Sequence, residues 1–271
     1  INSLLERNLN KLKFDNLKTL ASNNKIILTV VALFILFISY LLVPTFYKQE
    51  NISKKLKIEL QSKFNLDFTF NQKLNYNFFP RPHFTSKDSL IVKNQKNIAE
   101  INQIKIYVSL DNLFSIKNFN INEVILEKVN FELNNKNSNF FVKLLNNNFL
   151  NANLKIKNSN IFFRNLENEV LFINKILKMK YYYEVKELKN FFYSDSEIFN
   201  IPYSIESFYN EDKSKILSYI NLNLIKLKIE NELNIKNKKK QANPTLSLIN
   251  LKELLNMKLK IVISNSTFLI E

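Results

Sequence analysis

The sequence contains one long apolar stretch, residues 26–47, which carries no charged side chain and which Lys25 and Lys48 bracket. At a rise of about 1.5 Å per residue, a helix of this length spans roughly 33 Å, enough to cross a hydrocarbon core of about 30 Å. Its few polar residues do not recur at helical spacing, and it does not end in the small residues of a signal-peptide cleavage site. The sequence therefore predicts an uncleaved transmembrane helix, with predicted anchor residues from one end to the other: Ile26, Leu33, Phe37, Leu41 and Tyr47.

The apolar stretch divides the chain into three predicted parts, residues 1–25, 26–47 and 48–271. The first part is basic and carries leucines at helical spacing, so it is either an interfacial amphipathic helix or a charged tail. Five lysines and arginines lie within about 20 residues on each side of the stretch. The positive-inside rule therefore does not orient the predicted membrane helix.

The composition excludes most kinds of enzyme site. Cysteine and glycine are absent, so cysteine nucleophiles, thiolate metal sites and glycine-rich phosphate loops have no residues to form them. His83 is the only histidine, and a catalytic triad or a zinc site would depend on it alone. The sequence therefore predicts no catalytic residue, no metal ligand and no cofactor, and the protein is not expected to be an enzyme.

The formal net charge of +15 is the kind of excess found in proteins that bind nucleic acid or anionic membranes. The lysines are interleaved with apolar residues along nearly the whole chain, and only residues 238–240 form a run. Because a nucleic-acid site needs its cations clustered, we interpret these lysines as a solvated surface that favours anionic lipid headgroups. No nucleic-acid partner is expected.

A short amphipathic helix is predicted after the apolar stretch. Ile52, Leu56, Leu60 and Phe64 recur four residues apart, with lysines on the other faces. Asn65 follows at the position where helices commonly end in a left-handed residue, a conformation that asparagine tolerates when no glycine is present. Beyond it apolar and polar side chains alternate, which indicates that strands begin there.

Strands are the dominant signal in the rest of the sequence. Ile104, Ile106, Val108 and Leu110 alternate with polar residues, and turns rich in Asn, Asp, Ser and Lys separate further apolar runs. Since no helical pattern regularly separates these runs, the sequence predicts a mainly β domain with an antiparallel, meander-like sheet. Either a second sheet or a ligand must cover its apolar face. The further runs are residues 119–133, with a bulge at 124–126, and residues 152–163, 170–183, 198–209, 216–235 and 257–263.

Several segments occur in an order that is similar to a known family. A P-x-P element, Pro80, Arg81 and Pro82, stands in FFPRPHFTSKDSLIV, and IKIYVSLDNLFS, FNINEVILEKVNFEL and LKIKNSNIFFRN follow it. Together with the apolar stretch, the short helix and the first strand, this order resembles the N-terminal region of the AsmA family of bacterial envelope proteins, over roughly residues 26–235. Asn65 stands where the family has a glycine. The chain is shorter than is usual for the family, so it is expected to be either truncated or a minimal version.

The resemblance implies a domain in the periplasm, anchored in the bacterial inner membrane by a single pass. Its strands would form a curved, repeating β-groove like that of chorein-type bridge proteins, in which phospholipid acyl chains move toward the outer membrane without a catalytic residue. The alternation pattern supplies candidates for the groove lining, and an ordinary sandwich core is the competing interpretation of the same residues. These candidates are Leu66, Phe68, Ile104, Ile106, Val108, Leu154 and Ile156.

Two functions stay open at this point. The first is the binding or conduction of phospholipids. The second is a membrane-tethered assembly factor for outer-membrane proteins, which would bind envelope proteins through exposed strand edges. A continuous apolar surface along the sheet would favour lipid, whereas apolar side chains sealed between two layers would favour protein binding. A cytoplasmic nucleic-acid binder would require the opposite orientation in the membrane.

Overall fold

The chain divides into two compact units, Ile1–Tyr47 and Lys48–Glu271. The predicted basic segment 1–25 lies outside the described residues, apart from Lys25. The computed structural model describes residues 25–93, 96–111, 113–134, 136–145, 147, 149–210, 215–234, 240–249, 254–258, 261–264 and 267–270.

The first unit contains one long apolar helix, α1, Lys25–Leu42, which a short 3-10 helix, Val43–Phe46, follows. The span Lys25–Phe46 is long and apolar enough to cross a membrane, and it is the one such span among the described residues. The predicted N-terminal apolar helix is therefore present at the predicted place. Of the predicted anchor residues, the structure exposes Ile26, Leu33 and Phe37, half-exposes Tyr47 and buries Leu41.

The second unit begins with the predicted short helix, α2, Gln49–Phe64. It ends at Asn65, whose φ of 52° and ψ of 41° are left-handed. The amide of Asn65 donates a 3.0 Å hydrogen bond to the carbonyl oxygen of Gln61, as expected for a helix that closes in this conformation. The helix, its end and its apolar stripe are thus confirmed, since four side chains are at most 1% exposed: Ile52, Leu56, Leu60 and Phe64.

The rest of the unit is one sheet of fifteen strands. Strands β3 to β12 lie side by side in chain order, while β1 and β2 both pair with β3, β13 and β14 both pair with β12, and β15 pairs with β14. Because strands make up most of this unit, the predicted mainly β class is confirmed. The sheet does not close on itself. The strands are β1 Asp67–Phe70, β2 Asn75–Asn77, β3 His83–Lys93, β4 Lys96–Val108, β5 Ile121–Leu133, β6 Asn153–Arg164, β7 Val170–Glu184, β8 Lys189–Ile198, β9 Ile201–Asn210, β10 Lys215–Leu222, β11 Leu227–Asn234, β12 Lys240–Ile249, β13 Leu254–Lys258, β14 Ile261–Ser264 and β15 Thr267–Ile270.

One neighbouring pair departs from the predicted antiparallel meander. Strands β5 and β6 run parallel, with Val124 opposite Leu154, whereas the other described pairs are antiparallel. Parallel neighbours cannot be joined by a tight hairpin and need a crossover of a dozen or more residues. Residues 134–152 form this connection, called the crossover below, and it contains a short helix, α3, Phe140–Leu144.

A line of left-handed residues crosses the sheet. The φ angle is 50° at Asp88 in β3, 54° at Lys128 in β5 and 49° at Asn158 in β6. At this level two consecutive residues of each of these strands face outward, so the alternation shifts by one position while the register between strands is kept. Apolar side chains on both sides of the line therefore point to the same face. The phase change predicted at 124–126 lies instead at Lys128, because the left-handed residue produces it.

Candidate functional site: the inner face of the sheet

The inner face is the side of the sheet on which α2 packs, and its first part is covered. Four side chains of α2 and five of the crossover are at most 4% exposed, and α2 contacts strands β1 and β5. The predicted groove-lining residues all lie in this covered core, where each is at most 4% exposed: Leu66, Phe68, Ile104, Ile106, Val108, Leu154 and Ile156. None of these seven side chains lines an open surface, so they belong to a closed core rather than to a groove.

Aromatic side chains hold the crossover against the sheet. The ring of Phe131 in β5 lies 5.1 Å from that of Phe141 and 5.9 Å from that of Phe140, measured between centroids. Further along the crossover, the Phe149 ring stacks at 5.4 Å on Tyr181 of β7 and lies 6.0 Å from Phe64 at the end of α2. The helix and the crossover thus form one continuous layer over the core.

Hydrogen bonds mark where this cover ends. The Tyr181 hydroxyl donates to the carbonyl oxygen of Phe141 at 3.0 Å. On β8, the Asn190 side chain donates to the carbonyl oxygen of Asn147 at 2.7 Å and accepts from the amide of Phe149 at 3.3 Å. Burial raises the pKa of the Tyr181 phenol well above its ordinary value, which keeps the hydroxyl protonated as a donor. In the described part of the chain, no helix packs extensively on the strands after β7.

The inner side chains of strands β8 to β11, called the open face below, lie beyond this boundary. Cross-strand pairing places Ile205 of β9, Ile220 of β10 and Ile229 of β11 in one row. Pairing of Ser194 with both Met179 and Ile205 shows that this row faces the same side as the covered core. The three isoleucines are half-exposed, unlike the core residues. Other half-exposed apolar side chains of the open face are Phe192, Ile198, Ile201, Tyr203, Tyr209, Leu222 and Leu227.

Small hydroxyl groups within the open face satisfy one another. Ser207 donates to Ser218 on the next strand at 2.9 Å, and the hydroxyls of Ser194 and Ser196 are 2.7 Å apart. Tyr203 donates to the side-chain oxygen of Asn174 at 2.8 Å. Because these polar atoms are paired inside the sheet, the face presents mainly hydrocarbon to whatever lies against it.

The opposite, outer face of the sheet is charged. Glu123 accepts from Lys155 at 2.5 Å and from Arg81 at 2.9 Å, and Lys105 pairs with Glu127 at 3.1 Å. Burial acts to raise the pKa of Glu123, but the hydrogen bonds and charges of its two cations outweigh it and hold that pKa below its ordinary value. On the later strands, β7 to β10, four aromatic rings form a ladder on this face: Tyr182, Phe191, Phe208 and Tyr219.

The P-x-P element leads into β3 on this outer side. The guanidinium of Arg81 lies 4.4 Å from the centroid of the Tyr107 ring, in addition to its pair with Glu123. Pro82 accepts a 3.1 Å hydrogen bond from the amide of Val108, and His83 stacks on Tyr107 at 4.9 Å between centroids. These contacts hold the beginning of β3 against the last residues of β4.

The described residues define a class of protein. It has an N-terminal helix apolar enough to cross a membrane and one unclosed sheet whose inner face is covered over its first strands and open over later ones. Among the described residues no group of three or more His, Asp or Glu side chains is placed to hold a metal ion. The sequence matches no protein-family model and no curated protein.

Proposed function

We propose that this protein is an AsmA-like phospholipid-binding protein, anchored in the bacterial inner membrane by α1 and holding acyl chains on its open face. The observation that carries the proposal is the row of Ile205, Ile220 and Ile229, which is half-exposed on the same face of the sheet whose first strands carry a closed core. Exposed contiguous apolar surface is unusual in a folded domain and marks a binding surface.

The dimensions and chemistry of the open face suit acyl chains. Neighbouring strands are about 4.8 Å apart, so the four strands β8 to β11 span about 14 Å across the sheet. Each methylene removed from water contributes about 0.8 kcal/mol, and a chain that moves from a bilayer to this face exchanges one apolar environment for another at little net cost. The headgroup would stay in water, so the function needs no catalytic residue.

The cellular placement rests on the order of the elements. An apolar helix, an amphipathic helix with a left-handed end, a strand, a P-x-P element and a long sheet follow one another as the resemblance to the AsmA family implies. This order supports an inner-membrane anchor with the second unit in the periplasm.

Site-specific photo-crosslinking of the full chain tests the lipid proposal. A photoreactive amino acid at Ile220, in bacteria fed radiolabelled phosphate, is expected to give a labelled phospholipid adduct. Leu217 is the matched control position because it lies on the same strand, is also half-buried and faces the outer side. Equal labelling at the two positions, or none at either, would overturn the proposal.

The same experiment separates the two functions considered from the sequence. An adduct between the probe at Ile220 and an envelope protein, without lipid, would favour the assembly factor. As a second variant, Ile205→Glu places a charge in the isoleucine row and is expected to abolish the lipid adduct at Ile220. Ser204→Glu changes the neighbouring residue on the outer side and is expected to leave the adduct intact.

The absence of cysteine makes the placement easy to test. A single cysteine at the exposed Lys186 would react with a membrane-impermeant maleimide in intact spheroplasts if the second unit is periplasmic. Labelling only after lysis would place it in the cytoplasm and overturn the proposed orientation.

A further inference from the structure

A basic cavity of about 600 Å³ opens at one end of the strands, away from the open face. The last residue of β3, the first residues of β4, the last residues of β5 and β6, and the beginning of the crossover line it. Its size is within the range of small-molecule sites, about 300–1,000 Å³. The cavity belongs to the second unit alone, and neither the open face nor the membrane helix contributes a residue to it.

Five cations line this cavity: Lys93, Lys96, Lys136, Lys143 and Arg164. The one carboxylate among the lining residues is Glu132, and it is already used. Arg164 donates to it through both Nε and Nη2, the latter at 3.3 Å, and donates through Nη1 to the carbonyl oxygen of Asn168 at 2.9 Å.

The four lysines of the cavity therefore have no carboxylate to neutralise them there. None of them takes part in the ion pairs found among the described residues. Like charges that face a common space repel one another, and an anion in that space would reverse the sign of the interaction. The amide groups of Asn97 and Asn139 also line the cavity and supply uncharged donors for such an anion.

The floor of the cavity is apolar. Ile98, Leu133 and Phe140 line it and are at most 5% exposed as residues. A ligand that fits this arrangement carries a compact anionic group beside a small apolar part. Lysine ammonium groups bind phosphate as point charges, and the apolar floor would hold the carbon portion.

We propose that this cavity is a binding site for a phosphate-bearing ligand with a small apolar part. A phospholipid headgroup with its glycerol and a soluble organic phosphate share this chemistry. The site does not depend on the acyl-binding function, because it uses different strands and none of the residues of the open face.

The test is a titration of the full chain in neutral detergent, with phosphorus NMR as the readout and two probes, dihexanoyl phosphatidic acid and glycerol 3-phosphate. The test variant carries Lys96→Gln, Lys136→Gln and Lys143→Gln, three exposed positions that the fold does not need for packing. The control variant carries Lys87→Gln, Lys186→Gln and Lys228→Gln, which are also exposed and remove the same charge elsewhere.

We expect saturable binding that the cavity variant weakens at least tenfold, while the control variant changes it less than twofold. Tighter binding of the short-chain lipid would identify a headgroup as the ligand, and equal binding of both probes would identify a soluble phosphate. Equal losses in the two variants would show only the diffuse charge of the chain and would overturn the site. The absence of saturable binding by either probe would also overturn it.

Discussion

The hydroxyl of Tyr181, on strand β7, donates a 3.0 Å hydrogen bond to the backbone carbonyl oxygen of Phe141 in the crossover. The donor is fully buried, and its ring also stacks on Phe149. This bond joins the last covered strand to the layer above it. The boundary between the covered core and the open face is therefore fixed by a specific polar contact as well as by apolar packing.

Replacing Tyr181 with phenylalanine tests this boundary. Tyr181→Phe keeps the ring but leaves the Phe141 carbonyl without its donor, so we expect the free energy of unfolding to fall by about 1 kcal/mol. Urea unfolding of the full chain in detergent, followed by circular dichroism, measures the change. Tyr182→Phe is the control, because its half-exposed ring lies on the outer face, and it should change stability by much less. Equal effects would contradict the boundary role.

The pair of cations around Glu123 predicts a pH dependence. Because its folded pKa lies below its unfolded value, Glu123 contributes stability that is present above the ordinary value of 4.5 and is lost as the pH falls through the folded pKa. Glu123→Gln should lower the free energy of unfolding by about 2 kcal/mol at neutral pH and should flatten the acid side of the stability profile.

The control for this prediction is Glu197→Gln. Its partner Lys175 is 3.9 Å away and both side chains are more exposed than that of Glu123, so little stability should be lost. Unfolding curves at pH 7 and pH 4 for the three proteins give the comparison. A Glu123→Gln variant with an unchanged acid profile would show that the ion pairs do not stabilise the fold.

The turn between β7 and β8 offers a stabilising substitution. Leu188 has a φ of 52° and is 71% exposed. Its Cβ raises the free energy of this left-handed backbone, and the exposed side chain gains no burial in return. Leu188→Gly should raise the free energy of unfolding by about 0.5–1 kcal/mol, after the larger chain entropy of glycine is counted. Val185→Gly, in the same turn and similarly exposed, should have no stabilising effect. Thermal unfolding of both variants measures the change in stability, and a Leu188→Gly variant no more stable than the unchanged protein would contradict the prediction.

Local patterns in the sequence predicted the first two helices, α1 and α2, but not the short α3 of the crossover. The spacing of Ile52, Leu56, Leu60 and Phe64 identified the buried face of α2, and Asn65 identified its end. Both features depend on residues within a few positions of each other. Helical periodicity and end geometry are local properties, so the sequence contains them directly.

The position of the open face was not predictable in the same way. Alternation shows that Ile104 and Ile106 share a face, as do Ile205 and Ile229 after pairing, but it does not show what lies over that face. The crossover determines this, because it packs over the first strands and reaches across the sheet as far as Asn190 of β8. A connection of about twenty polar and apolar residues carries no periodic signal of where it will pack.

Several strands were joined in the prediction because their turns lack the usual signals. Residues 216–235 were predicted as one run, whereas the structure has β10 and β11 with a 3-10 helix, Asn223–Ile225, between them. Residues 198–209 likewise combine the last residue of β8 with β9, through a turn at Phe199 and Asn200 whose φ angles are 50° and 60°. Such turns usually contain glycine, which this chain does not have.

The antiparallel connections after β6 have a consequence for how such a protein can change in size. From β7 to β11 each strand pairs with the one before it and the one after it, and the contacts of α2 and the crossover described above reach no further along the sheet than β8. Inserting one more hairpin among them would lengthen the open face by about 10 Å while leaving the core packing unchanged. The width of the binding surface and the stability of the fold can therefore be adjusted independently of each other.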